Sequence, residues 1–381
     1  MALLPRRLVL ACAIGLFALG AAYQVKGNID LIAGDTPSSA VDLKNRDMEQ
    51  TFFMEGKNPH DLMVGSQPPW SYQFGQLLTW PAWPAVRTYF ASLNLVALAF
   101  LMLWAYHLAR DVSLEGRLLL MAAVFAFGGS CTATEVGQIS IIVTALLAGA
   151  LWCDRAGHPY WCGVLVALSM IKPTIAAPFA VALMVAGRYR AAGAAAAYGA
   201  VATAITWIVT ATSPIVMLRQ MADGAAAYIT AGTFGPVDLA ALLGASPAAM
   251  VWIPLSLAVP GLVLMAVVRP SLPLCFAIAT VWARLWTYHK SYDDVMLVFV
   301  LVPLGVLAFG HARSTVAAAA FFAMGVLAWV PGRVLAITEV QIAQLAVWPI
   351  ALLVLVHLER VAVRERWVIP HGGAARDPLP T

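Results

Sequence analysis

Twelve apolar stretches, most of them close to the length of a bilayer crossing, leave this chain few ways to fold. They lie near 8–25, 88–108, 118–134, 138–153, 160–171, 174–187, 190–212, 248–268, 272–288, 294–310, 314–331 and 341–357. A spanning helix takes about 20 apolar residues, so these stretches nearly use up a chain of 381. Apolar residues make up 61% of it and charged ones 11%, where soluble domains run to about 45–50% and 25%. Lipid is then the solvent for most of the chain, and a helix satisfies every backbone group without water. The expected architecture is an all-α polytopic membrane protein with about 12 transmembrane segments. Residues 1–358 read as one integral membrane domain and 359–381 as a basic cytoplasmic tail.

Charge placement orients the segments. Arg6-Arg7 precede the first stretch, which reads as a retained first helix or as a secretory signal with a Gly-Ala-Ala cleavage region. With Arg6-Arg7 in the cytoplasm, alternation puts Arg110, Arg117, Arg155, Arg188, Arg190, Arg269 and Arg313 on the same side, together with Arg360, Arg364 and Arg366. Both termini are therefore expected inside the inner (plasma) membrane. The opposite face receives the long loop 26–67, Glu135, Lys172, loop 213–247 and 289–294, with all five lysines among them. Lysines on that side break the usual bias, so some of them should have work other than orientation. The net charge of +4 is small, and no nucleic-acid partner is expected.

Four places on the outer face hold residues that could carry chemistry. Within 26–87, Ser39 to Glu55 reads as a helix that puts Asp42, Arg46 and Glu49 on one face, with Phe52 and Phe53 free to dip toward lipid. Asp42 is either a general base or the acidic member of a capping box begun at Ser39. Pro68–Pro84 reads as a half-buried helix starting at its prolines. Glu135-Val-Gly-Gln138 is an ordinary turn or a close-approach site whose amide suits sugar hydroxyls. Lys172-Pro173 interrupts two short apolar stretches. An ammonium there either faces a wet cavity or snorkels to headgroups. Arg284, His289, Lys290, Tyr292, Asp293 and Asp294 crowd one helix end, as an anion site or as an interfacial belt.

Five scattered cysteines show no metal or redox spacing and read as small buried hydrophobes. No HExxH, GxxxxGK[ST], GxSxG or CxxC motif occurs, so zinc proteolysis, P-loop ATP hydrolysis and hydrolase-elbow chemistry lack support.

In order, these landmarks resemble the bacterial polyprenol-phosphate-sugar-dependent glycosyltransferases of the GT-C class, family 87. Asp42-Leu…Gly56-Lys-Asn58-Pro59 resembles that family's first-loop pattern, with His60 where tyrosine is usual. Pro68-Pro69-Trp70, Gly137-Gln138, Lys172-Pro173-Thr174 and His289-Lys-Ser-Tyr292-Asp293 follow. The resemblance implies a GT-C-like fold and transfer of a mannose-like hexose from a polyprenyl-phosphate sugar to a lipid or glycan acceptor on the periplasmic face. It implies Asp42 as base, with Lys172, Arg284, His289 and Lys290 on the donor phosphate. Glu49, Gln138, Tyr292 and Asp293 would contact acceptor or sugar. No cofactor is implied, no metal ligand is assigned, and a divalent metal stays open. The competing reading is a lipid or small-molecule transporter or flippase with a midplane site at Lys172 and Arg284, although no repeat of hydropathy supports it.

Overall fold

The structure is a computed structural model describing residues 5–62, 67–228, 235–244, 252–268, 272–286, 290–310, 313–335 and 337–368. The elements run α1 (Arg6–Ala33), α2 (Val41–Met54), α3 (Tyr72–Leu78), α4 (Ala85–Leu108), α5 (Leu114–Phe125), α6 (Gly128–Val136), α7 (Ser140–Arg155), α8 (Pro159–Ser169) and α9 (Pro173–Val185). They continue as α10 (Tyr189–Thr210), α11 (Pro214–Tyr228), α12 (Pro236–Leu242), α13 (Trp252–Val268), α14 (Leu272–Trp286), α15 (Val298–Phe309), α16 (Thr315–Trp329), the short α17 (Gly332–Leu335) and α18 (Thr338–Val368). No strand occurs among the described residues.

Among the described residues, the apolar stretches of the sequence are mostly helical. Among the described residues, five helices are long and apolar enough to cross a bilayer unaided: α1, α4, α10, the Ser291–Phe309 element and α18. The pair α5 and α6, bent by 40°, brings the number to six if it is one span. The count of about 12 rests on further helices that are too short. Those of 11 to 15 residues, such as α8, α9, α14 and α16, reach only about 17–23 Å at 1.5 Å per residue, against about 30 Å of hydrocarbon. The chain is thus an α-helical membrane protein with five or six spans that length and composition carry.

Packing fixes which ends of the helices meet. α1 lies along α5 and α6, α7 contacts α4 and α8, α8 contacts α10, and α9 leans on α14. An aromatic cluster locks the middle, where Phe179, Phe276 and Phe299 meet edge to face with centroids 5.0–5.9 Å apart, and Trp104 joins Phe299 at 5.5 Å. Such pairs favour edge-to-face geometry because a ring's positive edge meets its neighbour's negative face. The last carbonyls of α1 lack intrahelical donors. Arg87 of α4 supplies them, bonding the Leu31 carbonyl and, at 2.7 Å, that of Gly34. Tyr23 of α1 donates to the Trp329 carbonyl at 2.7 Å and Gln24 to Ser130 at 3.0 Å, so the first stretch is built into the bundle.

Three local expectations about the outer loop change. The helix there starts at Val41, because Ala40 takes a left-handed conformation (φ 55°) and ends the preceding turn. Ser39 bonds Thr36 at 2.7 Å and caps nothing, so no capping box exists and Asp42 is not held by one. Phe53 does not dip toward lipid. It stacks on Tyr72 (5.3 Å, 16°) beside Met217 and ties α2 to the second outer helix. That helix begins with a tight Pro69–Ser71 turn, as its prolines suggest, and continues as α3 only to Leu78, short of the expected end at Pro84.

Candidate active site

Asp42 sits in the first turn of α2, half-buried, and its position depends on the turn after α6. Gly137 adopts φ 72°, a region that favours glycine, and a Cβ there would collide with Leu43. The missing side chain lets α2 settle onto the turn, where the Ala40 amide donates to the Glu135 carbonyl at 2.9 Å. Gln138 then reaches Asp42, its Nε2 donating to Oδ2 at 2.9 Å, while its own Oε1 accepts from the Ile139 amide at 2.9 Å. That second bond fixes which way the amide faces.

The electrostatics of Asp42 follow from this placement. Burial pushes its carboxyl above the ordinary range, while Lys172, Arg46 and the Gln138 hydrogen bond pull the other way. The result is a carboxyl set to accept a proton from a group beside it. In its ionised form it is a stronger proton acceptor than a surface aspartate.

A second cluster stands next to it. Lys172 Nζ pairs with Asp293 Oδ1 at 2.5 Å and donates to Ser140 Oγ at 3.0 Å, and Ser140 itself bonds Asp293 Oδ1 at 2.5 Å. The Tyr292 ring faces the ammonium at 4.6 Å, a cation–π contact. Lys172 occupies the break between α8 and α9, and Pro173 begins the new helix. Asp293 and Asp294 lie in the tight Ser291–Leu297 turn that packs between α6 and α7. Deeper in the protein, fully buried Arg284 faces Asp294 at 3.3 Å (Nε to Oδ1). Its guanidinium has no hydrogen-bond partner among the described residues.

The outer helices contribute Glu49 and Arg46. Glu49 is buried and accepts from Gln67 Nε2 at 2.5 Å, which joins α2 to the start of the second outer helix. Arg46 is buried between the charges of Glu49 and Asp42. Lys290 is half-buried and offers its carbonyl to the Asp293 amide at 2.9 Å. His289 lies outside the described residues. Among those residues, no three His, Cys, Asp or Glu side chains gather around a metal-sized gap.

The structure thus gathers Asp42, Gln138, Lys172, Tyr292 and Asp293, with Arg284 behind them and Glu49 on the outer side. Asp294, part of the charged cluster seen in the sequence, pairs with Arg284, while Ser140 and Gln67 take part without having stood out in the sequence. Ser140 stands two residues after Gln138 at the start of α7, a position that does not by itself separate it from an ordinary helix-interior hydroxyl. The opposite end of the bundle collects arginines: Arg155, closing α7, lies near Arg110 and Asp154, and Arg188 pairs with Asp154 at 2.7 Å. The charged cluster and the arginines therefore sit at the two ends of the same helices.

No curated protein matches the chain. The family model described as Glycosyltransferase family 87 matches residues 67–291. The match takes in Gln138, Lys172, Arg284 and Lys290, whereas Asp42, Glu49, Tyr292 and Asp293 lie outside it. It covers more than half of the chain, and with the helical membrane fold and the acid–base cluster at one end it establishes that the chain belongs to glycosyltransferase family 87, a family of enzymes.

Proposed function

We propose that this glycosyltransferase moves a mannose-like hexose from a polyprenyl-phosphate sugar to a lipid-linked or envelope glycan acceptor, with inversion, on the periplasmic side of the plasma membrane. The observation that carries the reading is the carboxylate of Asp42, fixed by Gln138 and flanked by Lys172. In a single in-line displacement the acceptor hydroxyl attacks the anomeric carbon as its proton passes to Asp42, and the bond to the polyprenyl phosphate breaks. Phosphate departs without a proton, so one base suffices. A positioned base supplies about 10²–10⁴-fold.

Charge builds on the phosphate as it leaves, and fixed cations at that point lower the barrier without reorganising. Lys172, Arg284, His289 and Lys290 are the proposed donors to it, with Glu49, Gln138, Tyr292 and Asp293 toward acceptor or sugar. On this reading Asp293 and Ser140 hold the Lys172 ammonium in place until the phosphate competes for it. The arginines gathered at the other end favour an outward-facing site. The shorter apolar helices would then act as crossings within protein-lined surroundings, restoring a count near twelve.

Purified protein incubated with labelled polyprenyl-phosphate hexoses and total lipid extract, read by mass spectrometry, tests this reading. A mass gain of one hexose on an acceptor lipid is expected. Transfer from nucleotide sugars alone would overturn the choice of donor.

A further inference from the structure

Among the described residues, Arg46 is a buried cation near the base that the proposed reaction leaves unused. It sits on α2 one turn beyond Asp42, only 8% exposed. Its Nε and Nη1 are buried without a hydrogen-bond partner among the described residues. Two other cations have charged partners: Lys172 bonds Asp293 and Ser140, and Arg284 forms an ion pair with Asp294. Arg46 feels the charges of Glu49 and Asp42, but Glu49 already takes the Gln67 amide on Oε2 and Asp42 takes Gln138 on Oδ2.

A guanidinium buried with donors unmet is costly, and such a group is kept where a ligand completes it. Its planar fork matches the oxygens of a phosphate better than a hydroxyl or an amide. We infer that Arg46 is the seat of a substrate phosphate oxygen, bound through its unmet donors beside the proposed base. That oxygen belongs either to the polyprenyl phosphate or to an anionic headgroup on the acceptor. The inference rests on the transferase reading and adds a ligand-binding residue to it.

The test is direct binding by the full-length protein in detergent, with no turnover involved. Undecaprenyl phosphate and phosphatidylglycerol serve as probes, with undecaprenol and diacylglycerol as phosphate-free controls. Arg46→Gln should weaken one phosphate probe at least tenfold and leave both controls unchanged, and Arg46→Lys should restore part of the loss. Weakening of undecaprenyl phosphate identifies the donor as the source, and weakening of phosphatidylglycerol identifies the acceptor. The ligand-free melting midpoint of Arg46→Gln should stay level or rise, because an unmet buried charge is gone. A lowered midpoint with both phosphate affinities intact, in Arg46→Gln and Arg46→Lys alike, makes Arg46 a structural residue and overturns the inference. Loss of transfer from every lipid donor would overturn the transferase reading instead, whatever the binding shows.

Discussion

Gln138 holds Asp42 from a turn 96 positions further along the chain, its Nε2 bonded to Oδ2 at 2.9 Å. One amide thus joins the outer-loop helix to the bundle and favours the ionised form of the carboxyl. Gln138→Leu removes both effects. A hydrogen bond to a charged group is worth about 1.5–3 kcal/mol, so turnover should fall by roughly 10- to 100-fold with modest change in donor KM. Steady-state kinetics with a single lipid donor check this.

Asp42→Asn separates catalysis from folding. The acceptor oxygen for Gln138 remains, but the proton acceptor is gone, so turnover should drop by about 10²–10⁴-fold. Burial holds the folded-state carboxyl above its unfolded value. Its contribution to stability is therefore full at low pH and lost as pH rises through the folded value. At neutral pH the Asn variant should melt at the same temperature or higher. Asp47→Asn, from the same helix, should stay active. Scanning calorimetry alongside the transfer assay reads both results.

The same raised carboxyl predicts a pH profile. Activity requires ionised Asp42, so the acid limb of kcat should lie above the ordinary aspartate value of about 3.9. Lys172 and Gln138 both favour ionisation, so Lys172→Met and Gln138→Leu should each move that limb to still higher pH. A limb that stays put in both variants would assign it to another group.

Lys172 and Asp293 should behave as a pair. Removing one partner strands the other inside the protein, which typically costs about 3–5 kcal/mol, whereas removing both is far milder. Lys172→Met and Asp293→Asn should each lower the melting midpoint by several degrees, and the double variant should recover much of the loss. A double-mutant cycle on thermal midpoints measures the coupling.

Orientation can be read in cells. Cysteine placed at position 44, on exposed Lys44, should react with an impermeant maleimide in intact cells, and one at position 364 should react only after lysis. The reverse pattern would turn the molecule over.

Hydropathy located the membrane-length helices among the described residues, because lipid demands unbroken apolar runs, but not the 15-residue α11 inside the expected loop 213–247. It left the number of crossings open, since α8 and α9 are apolar enough for lipid and too short to span it unaided. The outer loop was harder to read. Ser39 has the chemistry of a cap, but the left-handed Ala40 moves the helix start past it, and that conformation leaves no mark in composition. Lys172 and Asp293 were legible as unusual because charge is rare in this chain and expensive at membrane depth, whereas Asp42, one of seven acidic residues in loop 26–67, was legible only through the family resemblance. Ser140 was not, since a small hydroxyl among apolar residues fits a helix interior as well as a charge relay. The pairing of Arg284 with Asp294 depends on how the Ser291–Leu297 turn folds back, which no local pattern announces.

The contact between Leu43 and Gly137 has a mechanical consequence. α2 is a short lever: Leu43 bears on the turn at one end, and Phe53 rests on Tyr72 at the other. The proposed base is next to the fulcrum, where a given tilt of the lever moves it least. Motion of the outer loop as a lipid enters would then be felt mainly at the Phe53 end, while the carboxylate keeps its aim. A methyl group at position 137 would shift the fulcrum itself, and an error of about 1 Å in a reacting group can cost on the order of 10²-fold in rate. The bulk missing from one residue of the bundle thus sets the tolerance of a carboxylate on another segment.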